Sequence, residues 1–154
     1  MKFLCDAMFG GLAKWLRAAG YDTYYAREGT DTSDRSLTQK ALEEGRALLT
    51  GDRGFLERKP VRDGRVALLV VPHMPVEDQL RLVARSFGLK WLQSRCMECN
   101  GELDVAPLEA VSDQVPPGVI GAHEKFFRCL GCGRVFWHGS HWERIGGRLG
   151  RVFG

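Results

Sequence analysis

The chain has 154 residues, 44% of them hydrophobic, and a net charge of +3. That length suits one ordinary domain or a small domain with an appendage, and the apolar content is enough for a real core. No run approaches the roughly 20 apolar residues of a membrane span, MKFLCDAMFGG has no apolar stretch long enough for a secretory signal, and so modest a charge does not by itself mark a nucleic-acid binder; the expectation is a soluble, cytoplasmic protein.

In chain order, residues 1–5 (MKFLC) read as a strand that delivers Asp6 at its end. GGLAKWLRAAG then reads as a helix, with Leu12, Leu16 and Ala19 at i, i+4, i+7 and Gly20 as its stop. Lys14 and Arg17 lie off that face. Residues 22–26 suit a short second strand, and 27–33 a polar loop. Ser33 is a good N-cap for a helix over 34–44, closed by Gly45. A buried strand follows over 46–50, then a short helix near 53–58, a strand over 65–71, and a helix opened by Pro75 and closed by Gly88. The order β-α-β-α-β-α-β-α with near-continuous apolar strands predicts a parallel sheet covered by helices on both faces. Residues 89–95 read as a linker. Beyond Cys96 the helical periodicity gives way to Gly, Pro and short β-like runs, and from Arg134 onward there are four Arg and one Glu.

In an open parallel sheet, ligands bind outside the carboxyl ends of the strands. Asp6 and Asp52 end the first and third strands, and Asp34 starts the helix after the second, so all three belong to one edge. Carboxylates gathered there repel unless a cation joins them, and hard oxygen ligands suit magnesium or manganese. Such an ion can activate water against a phosphodiester. Lys14, Arg17 and Arg53 are the candidate phosphate contacts. Each residue also has a plain structural role open to it: Asp34 as a helix-start charge, Asp6 as a turn residue, Lys14 and Arg17 as a solvated helix face.

CMECNG and CLGCGR are two Cys-x-x-Cys knuckles, each with a nearby glycine. Cys96, Cys99, Cys129 and Cys132 match tetrahedral zinc, and a disulfide reading is disfavoured for a cytoplasmic chain. The long segment between the knuckles, with Pro116, Pro117 and Gly118, reads as an extended loop. Cys5 reads as a buried core thiol. His138, His141, Trp137 and Trp142 read as ribbon packing or as an RNA-facing surface, and Arg134, Arg144, Arg148 and Arg151 as phosphate contacts or as a frayed tail.

Asp6 with GGLAKWLRAAGYD, followed by SDRSLTQKALEEGRALLTGDRGF, resembles the Mut-seven C-terminal-type PIN-like ribonuclease family over roughly residues 1–142. The resemblance implies an α/β PIN-like domain over 1–90, a small β-rich zinc ribbon over 93–142 and a basic tail over 143–154. It also implies a magnesium- or manganese-dependent ribonuclease, with Asp6, Asp34 and Asp52 as the acids, RNA as substrate and Lys14 and Arg17 as RNA contacts. The residue before the third acid is commonly basic in that family; here it is Gly51, with Arg53 following. For a fourth acid the candidates are Asp31 and Asp78. The alternative is a non-catalytic RNA-binding or adaptor protein whose zinc ribbon carries the function. A phosphatase-like hydrolase is a third reading, but no nucleophile-and-lysine pattern supports it.

Overall fold

The structure is a computed structural model that describes all 154 residues. Four parallel strands form one sheet: β1 (Lys2–Cys5), β2 (Asp22–Tyr25), β3 (Arg46–Thr50) and β4 (Leu68–Val70), in the order β2-β1-β3-β4. The expected strand over 65–71 is shorter because the Val66 amide donates to Pro60 O at 3.0 Å rather than into the sheet. Helices α1 (Gly10–Ala18), α2 (Asp34–Glu44), α3 (Lys59–Arg62) and α4 (Val76–Phe87) lie between and after the strands. The helix limits follow local chemistry. The Ser33 hydroxyl accepts the Ser36 amide at 3.2 Å to cap α2, and Gly45 and Gly88 close α2 and α4 in the left-handed region at φ 66° and 63°.

Both faces of the sheet are covered, as near-continuous apolar strands require. One face buries Phe3, Cys5, Ala47 and Leu49 against Leu12 and Leu16 of α1 and Leu80 and Val83 of α4. The other buries Leu4 and Leu48 against Leu37 and Ala41 of α2 and Phe55. Each such Leu or Phe contributes about 1.5–3 kcal/mol by leaving water.

The second sheet is antiparallel: β5 (Leu103–Ala106), β6 (Phe126–Cys129) and β7 (Val135–Trp137). The expected extended loop between the knuckles is folded. It forms α5 (Leu108–Val111) and α6 (Pro117–Ile120), and Val111 and Val115 bury against Phe126 in a small core of their own.

The residues expected as a basic tail, 143–154, are helical through Phe153. Helix α7 (Ser140–Phe153) returns to the first sheet, and its Ile145 and Leu149 are buried in the same core as Leu12, Leu16 and Leu80. The apolar spacing Ile145, Leu149, Val152 outweighs the helix-weakening cost of three glycines. The linker is also fixed. The Leu92 amide donates to Ala19 O at 2.9 Å and the Arg95 amide to Arg17 O at 2.8 Å. This approach demands a glycine at position 20: its φ is 101°, and a Cβ there would lie 2.6 Å from Gln93 O. No helix is long and apolar enough to cross a membrane.

Candidate functional site

Two sites are built by these elements, one of oxygens at the sheet edge and one of sulfurs in the ribbon. At the edge, β1 and β3 run side by side with Cys5 opposite Leu49. Asp6 and Asp52 therefore leave the sheet from adjacent strands. Thr50 joins them: its hydroxyl donates to Asp6 Oδ2 and accepts the Asp52 amide at 3.0 Å. Asp6 Oδ1 accepts the Met8 amide at 3.1 Å, so this carboxylate is held from two sides and is 8% exposed. Asp52 is exposed, and its Oδ1 accepts the Gly54 amide at 2.8 Å, starting the 3₁₀ turn Arg53–Glu57. Asp34 opens α2 and is partly exposed. The three acids are not drawn into one tight cluster: the four cysteines are the one group of three or more His, Cys, Asp or Glu ligand atoms within 4.8 Å of one another.

Below the acids, burial and the charge of Asp6 push the Cys5 thiol far up, so it is an inert core residue. Asp31 accepts the Ser33 amide at 2.9 Å and Asp78 pairs with Arg81 at 2.8 Å, so each acid has a local structural partner.

The basic candidates separate sharply. Lys14 is exposed and pairs with Glu98 at 3.4 Å; Arg53 is exposed beside Asp52. Arg17 is 2% exposed, which corrects the expectation of an RNA contact. Its Nε donates to Thr23 O at 3.0 Å, Nη1 to Met97 O at 3.1 Å and Glu98 O at 3.3 Å, and Nη2 to Glu28 Oε1 at 2.5 Å. All three of its nitrogens thus donate to β2, the turn after it and the first cysteine knuckle. Asn100, at φ 71°, extends the same junction by accepting the Thr23 amide at 3.0 Å and donating to Asp22 at 2.7 Å.

In the ribbon, Cys96, Cys99, Cys129 and Cys132 converge, with Cys96 Sγ 3.9 Å from Cys132 Sγ and Cys99 Sγ 3.3 Å from Cys129 Sγ. None is in a disulfide. Amides of Gly101 and Gly131 point at Cys99 and Cys129 sulfurs, each at 3.3 Å. A Cβ on Gly101 would come 2.5 Å from Cys129 Sγ, so the knuckle has no room for a side chain there. Burial and the neighbouring Cys129 push the Cys99 thiol up to about 12. Burial also raises Cys132, but the amide and guanidinium of Arg134 outweigh it and bring that thiol down to about 6. Four sulfurs with amide donors aimed at them form a set that can hold a metal ion such as zinc. The aromatic residues beyond the second knuckle pack on one another: His138 stacks between Phe127 and Trp142, 5.5 Å from each ring.

A protein-family model described as the Mut7-C RNAse domain matches residues 1–149. Among curated proteins, the human exonuclease mut-7 homolog is 24% identical over 221 aligned positions, which take in 94% of this chain and 25% of the relative. The chain thus spans about a quarter of the length of the curated relative it matches.

Proposed function

The chain belongs to the Mut7-C RNAse domain family, and from that premise we propose that it is a magnesium- or manganese-dependent ribonuclease that hydrolyses RNA phosphodiesters. The observation that carries this reading is the buried Thr50 hydroxyl, which joins the Asp6 carboxylate to the Asp52 backbone amide and so sets the two acids' backbones side by side at the carboxyl edge of a parallel sheet. In this reading Asp6, Asp34 and Asp52 hold the ion, which when bound supplies charge stabilisation on the phosphate and a more acidic water. Asp6 is the fixed member, because its position is set by the Met8 amide and the Thr50 hydroxyl. Asp52 and Asp34 are the accessible members. Lys14 and Arg53, both exposed, hold phosphate oxygens. The four cysteines hold zinc as a structural ion.

The test is cleavage of structured and single-stranded RNAs with and without manganese. Asp52→Asn keeps a side-chain oxygen for the Gly54 amide, and Asn equals Asp as a cap. The expected result is a folded protein without metal-dependent cleavage. Full RNA-cleaving activity in a clean Asp52→Asn preparation refutes the assignment.

The spread of the three acids favours a second reading, a non-catalytic RNA-binding or adaptor protein whose ribbon carries the function. Manganese separates the two. A nuclease site gains thermal stability from the ion in the wild type and not in Asp52→Asn; an adaptor gains none in either.

A further inference from the structure

Arg17 is buried and cannot reach RNA, but helix α7 presents three exposed arginines and a histidine. His141, Arg144, Arg148 and Arg151 are all exposed and recur at spacings of three, four and three, which places them on one helical face. Ile145 and Leu149 on the other face are buried. The exposed face borders a cleft of about 500 Å³ whose opposite wall is Trp15 of α1. Arg148 lies over the Trp15 ring at 5.5 Å, and neither Arg144 nor Arg148 is in an ion pair. Arg151 is bound to Glu77 at 3.1 Å.

The direction of the stripe matters. Its first residue follows β7 of the ribbon, beside the stack of Phe127, His138 and Trp142. Its last residue touches Glu77 in the first turn of α4. That helix follows β4, so its first turn lies at the carboxyl edge of the sheet, where Asp6 and Asp52 emerge. From His141 to Arg151 the helix advances about 15 Å. Cations in a row beside aromatic faces are what single-stranded nucleic acid needs: charge for phosphates and flat surfaces for bases.

We propose that the His141–Arg151 face of α7, with Trp15 opposite and the Phe127–His138–Trp142 stack at its start, is the track on which single-stranded RNA binds and is led from the ribbon to the acidic edge. The proposal rests on the ribonuclease reading for its choice of ligand, but it concerns binding and is tested without cleavage. The zinc-loaded full chain is titrated against a fluorescent oligouridylate by anisotropy, without added magnesium or manganese and across a salt series. Arg144→Gln/Arg148→Gln is the test variant; both positions are exposed, and a thermal melt checks that it folds. The expected result is about tenfold weaker binding at moderate salt. The slope of log affinity against log salt becomes shallower by about 1.4, at about 0.7 per lost phosphate contact on a single strand. Unchanged affinity and slope in a folded variant overturn the track, whatever the cleavage assay shows. If the variant loses binding while wild type never cleaves, the track stands and the nuclease reading falls. A wild type that binds poly-glutamate but not the oligouridylate assigns the face to an acidic protein and overturns the proposal.

Discussion

Replacing Arg17 by Ala tests whether this side chain joins the ribbon to the sheet or merely decorates α1. The substitution takes the Arg17 donor from the Thr23, Met97 and Glu98 carbonyls and leaves the Glu28 carboxylate only the Tyr25 amide. Breaking a buried pair by removing one partner costs about 3–5 kcal/mol. Arg17 is 3% exposed at its side chain but Glu28 is 37% exposed, so water recovers part of the loss and the low end, about 3 kcal/mol, applies. For a chain of this size about 2–4 °C of melting temperature accompanies each kcal/mol, so the melt falls by about 6–12 °C. Arg17→Lys keeps the charge but not the fork that reaches three segments at once, and recovers only part of the loss. The assay is thermal unfolding by circular dichroism in zinc-containing buffer. A melting temperature within about 2 °C of wild type for Arg17→Ala refutes the staple. So does a large loss of RNA affinity at unchanged stability, which would return Arg17 to the surface.

Elemental analysis of protein purified without chelator should find about one zinc per chain, lost in Cys129→Ser, since four thiolates complete one tetrahedral site. Because the Met97 and Glu98 carbonyls hold Arg17, that loss should lower the melting of the α/β sheet as well as the ribbon; a sheet that melts unchanged refutes the coupling. Asp22 supplies a pH signature. Burial raises its carboxyl, but hydrogen bonds from Asn100 and Arg46 outweigh it and hold it below the usual 3.8. A depressed folded pKa stabilises the fold above the unfolded value, and that stability is lost as pH falls through the folded one. Urea unfolding of Asp22→Asn should therefore show a flatter decline than wild type below about pH 4; identical acid limbs refute the role of Asp22.

The sheet was legible because its signals are local. Ser33 and Gly45 bracket α2, Gly88 ends α4, and the cores of β1, β3 and β4 are short apolar runs. The cysteine quartet was legible for the same reason, since each knuckle is a motif of a few residues. Arg17 was not. Its position off the Leu12–Leu16 face predicts solvent, and the carbonyls that bury it come from about 80 residues away. Helix α7 was hidden by Gly146, Gly147 and Gly150, which depress helical propensity; the spacing of Ile145 and Leu149 was the available signal, and burial against α1 and α4 decided it. Chain order predicts Asp6, Asp34 and Asp52 at one edge, but how closely their carboxylates gather depends on side-chain directions that no spacing encodes, and they form no tight ligand cluster.

The return of α7 to the sheet has a consequence for how the molecule assembles. The ribbon is inserted between α4 and the helix that completes the same core, so Leu80 and Ile145 become neighbours only after the whole intervening segment is in place. Contacts across such a span are slow to form, because chain-closure entropy precedes any gain from packing. Without α7, the α1 and α4 faces that meet Ile145 and Leu149 would be left as an open apolar seam. A metal held by the four cysteines would shorten the effective loop and bring α7 toward its seat, coupling metal uptake to the building of the core.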